Sequence, residues 1–391
     1  MSVFLRPVYS NEGRVFGLDL LRCLAIVFVL IDHSLLLLPA FSGRDVIREY
    51  AGAIGVEMFF SLSGFLIGSI LLRVFTKNAH FSSKDRLRFW SRRWLRTLPA
   101  FIFYLLLFTI VALATGYEEF GSPGVASFVQ VLFFIQNLVF IHSNYFGISW
   151  SLAIEEWFYL LLPVALSIAG SLSRSEKRVI FLRTVLIMII ASFLLRIVVF
   201  FFLENGVLPR IAASQGISDF LERFYTGVRK IVALRLDAAS YGVIIGFIYF
   251  YHRDRLMSIR KPLFLAGLFI VMIAAWFYYS IIEQHFSFTP FVFTFAFLGV
   301  GFSMLLPYSI GLESKRFPPL LVKVIQVISI ISYSVYLSHS IFLNLLRHWL
   351  PEAGWLTSLA AVALMLTITY ISSVLSYNYI ERRGMQLRKA E

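Results

Sequence analysis

Eleven apolar stretches, each near the length a helix needs to cross a bilayer, dominate this sequence of 391 residues. They fall at about 16–40, 51–72, 97–115, 125–147, 150–170, 179–203, 231–251, 262–282, 287–308, 324–346 and 356–380. Ten spans of roughly 20 residues use half the chain and leave short loops, with no room for a second soluble domain. Hydrophobic residues make up 59% and charged ones 15%, which excludes a soluble globular protein. The expected fold is an all-α polytopic membrane helix bundle forming a single integral membrane domain over residues 1–391, with lipid as its surroundings. The mildly basic start, followed by an apolar run without a small-residue cleavage pattern, predicts an uncleaved signal anchor.

Loop charge decides how the spans thread. The segment Arg73–Arg96 holds eight basic residues against one acid, Asp85, and is expected on the cytoplasmic side. The loop TGYEEFGSPG that follows has no Lys or Arg and is expected outside. If all eleven stretches crossed, Arg174, Lys177, Arg178 and Arg183 would fall outside. So would Arg253, Arg255, Arg260 and Lys261, then Lys315, Arg316 and Lys323, and finally Arg382, Arg383, Arg388 and Lys389. Removing one crossing repairs every loop at once. The stretch 125–147, with Gln130, Gln136, Asn137 and His142, is the natural one to remove, as a re-entrant or non-crossing segment. That predicts ten crossings in the cytoplasmic (inner) membrane with both termini cytoplasmic, and a short surface helix in the long outer loop 204–230. The net charge of +13 is then membrane orientation and not a nucleic-acid footprint. Cys23 is the only cysteine and the seven histidines lack close ligand spacing, so neither a disulfide nor a metal is expected.

The first stretch carries Asp19, Arg22, Asp32 and His33. Each ionisable group in a span costs roughly 2.5–3.5 kcal/mol, so such groups mark a working site. Arg22 and His33 are eleven residues apart, which returns to nearly the same helix face about 16 Å along the axis. One helix thus presents a fixed cation at one depth and a titratable imidazole at another. Asp32 points roughly 100° away from His33 and is not expected to orient its ring.

Seven blocks in order carry a resemblance. They are the Arg22/His33 spacing, GVEMFFSLSGFLIG (55–68), RRWLRTLP (92–99), WSLAIEEWFYLLLP (150–163), LRLDAASYGVIIG (234–246), SYSVYLSH (332–339) and YNYIERR (377–383). Together they resemble the acyltransferase type 3 family of membrane acyltransferases, over essentially the whole chain. Two departures stand out. Arg383 and Gly384 follow where the family often has proline, and the chain ends at Glu391 without the esterase-like extracytoplasmic domain of many members. The resemblance therefore implies a stand-alone form and leaves a separate esterase-like partner open.

The resemblance implies transfer of an acyl group, commonly acetyl, from cytoplasmic acyl-CoA (acetyl-CoA) to a hydroxyl of an extracytoplasmic glycan or lipid-linked sugar, such as a polysaccharide. Arg92, Arg93 and Arg96 at the mouth of the third span, with Arg22, are then the donor's phosphate ligands, because guanidinium forks pair phosphates in bidentate fashion; the alternative is plain anchoring for the first three and an ion pair with Asp19, one turn earlier, for Arg22. His33 is the expected general base, with an ordinary pKa near 6.5. Glu155, on one face with Ser151 and Tyr159, is the second catalytic candidate, to orient the base or bind sugar hydroxyls. Glu57, Ser61 and Ser63 form a polar thread in the second span; the serines are expected to line the acyl tunnel, since no base adjoins them for a nucleophilic role. Glu57, Tyr336 and His339 (the last two on one face of a later span) and Arg235 with Asp237 are the expected acceptor contacts, or in the last case an ion pair. A rival reading makes the same groups the substrate or proton path of a transporter or flippase. The absence of an internal repeat weighs against it.

Overall fold

The computed structural model describes residues 14–77, 81–116, 120, 124–139, 145–207, 228–283, 287–350 and 354–387. Among these the regular structure is helical, without strands. In order come α1 (Phe16–Ser34), α2 (Arg44–Lys77), α3 (Ser83–Thr115), α4 (Val125–Leu132), α5 (Ser149–Leu172), α6 (Lys177–Phe202), α7 (Ser240–Tyr251), α8 (Arg253–Ser258), α9 (Arg260–Ile282), α10 (Phe288–Ile310), α11 (Pro319–Trp349) and α12 (Trp355–Ser376). A π-turn, Tyr377–Glu381, joins α12 to α13 (Arg382–Leu387). Among the described residues nine helices are long and apolar enough to cross a membrane, and the chain forms an all-α polytopic bundle.

Much of the basic segment expected as a loop between the second and third spans is helix. α3 starts at Ser83 because Ser82 and Asp85 form a reciprocal capping box, and it ends at Gly116 in the left-handed region (φ 60°). Its early turns therefore place Arg93 and Arg96 at a cavity in the bundle, with Arg92 facing outward. α1 is the hub, packed against α2, α10 and α11. It approaches α2 closely: a Cβ on Gly55 would stand 2.7 Å from the Ala25 carbonyl, and one on Gly52 would meet the Asp32 carboxylate at 2.3 Å. α2 and α7 interlock through two glycine pairs four residues apart, Gly64/Gly68 and Gly242/Gly246. There Gly64 abuts the Ala239 carbonyl and Gly242 the Ser61 carbonyl.

Two stretches differ from simple spans. Among its described residues the segment 125–147 is helical only over α4. Its backbone then breaks into turns, with Phe134 and Phe146 at φ 57° and 48°. α4, with eight residues, is too short to cross as a helix, and the donors of the two amides that follow it are met by protein, while their oxygens, Gln136 Oε1 and Asn137 Oδ1, are buried without a partner among the described residues. Gln136 donates to Ser149 Oγ (3.0 Å), and Asn137 donates to the Trp150 carbonyl (3.0 Å) and to that of Lys230. The stretch 231–251, expected as a full span, is α-helical only from Ser240; before it stand a 3₁₀ turn, Val232–Leu234, and further turns. The backbone opens there because buried charges use it: Arg196 donates to the Leu234 carbonyl (2.8 Å). The two irregular segments satisfy each other, Val232 N–H and Ala233 N–H donating to the carbonyls of Asn137 (2.9 Å) and Leu138 (3.1 Å). His142, and the surface helix expected in 204–230 over residues 208–227, lie outside the described residues.

Candidate active site

Two cavities stand back to back in the bundle. The larger, about 730 Å³, is bordered by Asp32 and His33 of α1, Arg48 and Glu49 of α2, and Arg229, Lys230 and Tyr336. The smaller, about 220 Å³, is bordered by Arg22 of α1, Ser63 of α2, Arg93 and Arg96 of α3, Glu155 of α5 and, again, Tyr336 of α11. Val56 and Tyr336 border both. The two α1 groups singled out by their spacing thus open into different compartments separated by a shared wall.

In the histidine cavity, His33 Nδ1 lies 2.9 Å from the Val29 carbonyl one turn earlier. A carbonyl can only accept, so Nδ1 carries the hydrogen and Nε2 of the neutral ring carries the lone pair. The Asp32 carboxylate stands 3.7 Å from Nδ1, too far to hydrogen-bond; it is turned to Arg48, at 3.5 Å. The carbonyl, not Asp32, therefore orients the ring. His339 packs edge-on against His33 with ring centroids 4.7 Å apart. Its Nδ1 is likewise tied to its own helix, 3.1 Å from the Val335 carbonyl, and its Nε2 is buried without a hydrogen-bond partner. The walls add groups that sequence reasoning passed over: Arg48, Glu49, Arg229, Lys230 and Arg347. They sit at span ends, where basic residues carry the same signal as membrane orientation.

In the cationic cavity, Arg93 donates to Glu155 Oε2 (3.2 Å) and lies over the Tyr159 ring, 4.1 Å from its centroid. Ser63 donates to Glu155 Oε1 (2.8 Å) and Tyr159 to Oε2 (3.0 Å). Glu155 thus neutralises Arg93 and borders the cationic cavity, not the one with His33. Arg22 and Arg96 have no carboxylate partner among the described residues. The Asp19–Arg22 pair that sequence spacing allowed is not formed, because Asp19 accepts instead from Arg14 Nε (3.0 Å) and Ser329 Oγ (2.7 Å). Arg92 is exposed and borders neither cavity, and Ser61 is buried against α10, donating to the Gly299 carbonyl (3.4 Å).

Arg235 and Asp237 do not pair with each other. Arg235 donates to Glu57 Oε1 (2.6 Å), both fully buried, and Asp237 takes both terminal nitrogens of Arg196 (2.9 and 2.7 Å). None of Glu57, Arg235 and Asp237 borders either of these cavities. In this structure their charges tie α2, α6 and the broken segment before α7 together. Tyr336 sits at the wall: its hydroxyl donates to the Ile148 carbonyl (2.9 Å) and accepts from Ser151 Oγ (2.6 Å). Among the described residues no cluster of His, Cys, Asp and Glu is arranged to hold a metal.

Fold and site together define a polytopic membrane protein with an anion-attracting pocket set against a histidine-bearing one. The acyltransferase 3 family model, described as an acyltransferase domain, matches residues 15–377, and the chain belongs to that family. It is 28% identical over 391 residues to the O-acetyltransferase OatA of Staphylococcus aureus, covering 94% of this chain and 57% of that protein. It is 33% identical over 177 residues to the peptidoglycan O-acetyltransferase OatA of Listeria monocytogenes, covering 41% of this chain and 25% of that one. The chain spans little more than half the length of the first of these relatives. No solved structure matches it.

Proposed function

We propose that this chain transfers an acyl group from acyl-CoA, entering from the cytoplasm, to a hydroxyl of a glycan on the opposite side of the membrane, with acetyl as the group moved. The observation that carries the reading is the back-to-back pair of cavities: one offers two guanidiniums without carboxylate partners, the other an imidazole with a free basic nitrogen, and they share a wall. Arg22 and Arg96 bind the donor's phosphates, since each charge-assisted bond to an anion is about twice as strong as a neutral one. Ser63 and Tyr159 hold Glu155 and, through it, the aim of Arg93. The thioester reaches the wall, and the acceptor hydroxyl sits in the histidine cavity. The relatives' names make a peptidoglycan fragment the first acceptor to try.

His33 Nε2 takes the hydroxyl proton as the oxygen attacks the thioester carbonyl carbon. The carbon–sulfur bond then breaks, and the CoA thiolate leaves and takes up a proton, so ester and free thiol are the products. The abundance of basic residues on the Arg93 side supports a cytoplasmic orientation for that cavity. The test is the purified protein in lipid nanodiscs with acetyl-CoA and a peptidoglycan fragment, with free thiol read by a chromogenic disulfide. Acceptor-dependent thiol release that disappears in His33→Ala is the expected result. Movement of the glycan across sealed vesicles without any thiol release would instead establish a transporter.

A further inference from the structure

We infer that Val56 and Tyr336 together gauge the acyl group, admitting acetyl and rejecting longer chains; this rests on the transferase reading above. Among the described residues these are the two that border both cavities, so a thioester loaded beside the arginines meets the acceptor only where they stand. Both are held in place. The Tyr336 hydroxyl is bonded on two sides, to Ile148 and Ser151, so its ring is tied to α5 and the turn before it. The Phe59 ring, 6.3 Å away, and the His339 ring, 5.7 Å away, flank it.

Val56 is fixed from the other side. Its neighbour Gly55 already lies so near α1 that an added Cβ would stand 2.7 Å from the Ala25 carbonyl and 2.9 Å from a Val29 methyl, so α2 cannot retreat. The proposed passage is therefore framed by side chains on two helices, α2 and α11, braced against α1 and α5. Phe59, Phe60 and Leu152 make the approach apolar from the cationic side. That suits an uncharged thioester and offers an alkyl chain no polar exit.

At the moment of attack the acyl carbonyl carbon lies at this wall, bonded to sulfur on the arginine side and met by the acceptor oxygen from the His33 side. The remainder of the acyl group has to fit against Val56 and the Tyr336 ring. Each further methylene displaces one of them, and a hydrophobic pocket of fixed size discriminates by about 10–200-fold per methylene.

The experiment measures acceptor-dependent thiol release from acetyl-, propionyl- and butyryl-CoA by the full chain in nanodiscs, for wild type, Val56→Ala, Val56→Ile and Tyr336→Phe. Wild type is expected to prefer acetyl over butyryl by at least tenfold. Val56→Ala, which removes two methyls from the opening, should raise the butyryl-to-acetyl ratio tenfold or more, and Val56→Ile should lower the propionyl-to-acetyl ratio. Tyr336→Phe keeps the ring but releases it from Ile148 and Ser151, and should raise the butyryl ratio in case either Val56 variant is misassembled. Acetyl transfer with wild-type ratios in every assembled variant, or a wild type that moves butyryl as readily as acetyl, overturns the gauge and leaves the transferase reading intact. Absence of acceptor-dependent release from all three donors in wild type overturns the transferase reading and the gauge with it.

Discussion

His33 and His339 meet edge to face with ring centroids 4.7 Å apart, and each commits Nδ1 to a carbonyl four residues before it. In its neutral form each ring therefore holds its lone pair on Nε2, but only His33 borders the large cavity. The two are not equivalent. His33→Ala should lower acceptor-dependent thiol release by about 10²–10⁴-fold, the usual worth of a general base. His339→Phe keeps a ring against His33 while removing its Nε2, and should lose less than about tenfold, below the span of general acid–base effects. Matching losses in initial-rate assays would make the pair a joint base.

Arg22 and Arg96 lack carboxylate partners among the described residues, Arg93 shares Glu155, and Arg92 is exposed away from both cavities. Four arginines that look alike in sequence thus separate into three situations. A charged hydrogen bond contributes about 1.5–3 kcal/mol, so Arg22→Ala or Arg96→Ala should raise the donor KM roughly 10- to 150-fold. Arg92→Ala should stay within about twofold, as surface charges contribute little. A donor titration at fixed acceptor separates them, and an Arg92 variant as impaired as Arg22→Ala would refute the assignment of phosphate binding to the cavity.

What could be read ahead of the structure follows from which physics is local. Most of the spanning helices, and the placing of Arg22 and His33 at different depths of one helix, were legible because helix periodicity fixes azimuth and depth within a single helix. That 125–147 would not be one long helix like its neighbours was suggested by loop charge, which is counted along the chain. Ion-pair partners were not, because they are set by tertiary packing. Arg235 finds Glu57, 178 positions away, rather than Asp237 two positions on, and Asp237 finds Arg196. The grouping of Glu155 with Arg93 rather than with His33 has the same origin: sequence gave Glu155 a helix face but not the neighbour that face would meet.

Lys230 supplies a pH test outside the spans. Burial, aided by neighbouring Arg229, brings its ammonium from 10.5 down to about 8. An unfolded lysine keeps its proton to about pH 10.4, so between about 8 and 10 the unfolded chain binds more protons than the folded one, and stability gains with rising pH. Below 8 both states are protonated and the burial penalty stands in full. Lys230→Met should therefore raise the thermal midpoint in detergent most below pH 8, with the advantage shrinking towards pH 10. An advantage independent of pH would mean that the ammonium is solvated in the folded protein.

The buried ion pairs should govern stability rather than turnover per folded molecule. Arg196 and Asp237 are fully buried and joined by two bonds, while Glu57 and Arg235 are joined by one, with Arg235 also stacked 4.5 Å from the Phe295 ring centroid. Removing one member strands a charge in a dry interior and costs about 3–5 kcal/mol. Asp237→Ala should therefore lower the detergent-unfolding midpoint strongly, whereas the double change Arg196→Met with Asp237→Leu, which removes both charges, should recover part of the loss. The backbone makes the double variant the sharper test. Arg196 also donates to the Leu234 carbonyl, and Asp237 also accepts from the Tyr241 hydroxyl (2.8 Å), so the double change leaves both of these groups unmet while restoring charge balance. Recovery that stops short of wild type by about 1–3 kcal/mol for each of these unsatisfied buried groups is the expected outcome. A double variant no better than Asp237→Ala would show that the broken segment before α7 depends on the guanidinium's bond to the chain, and not on the pairing of charge.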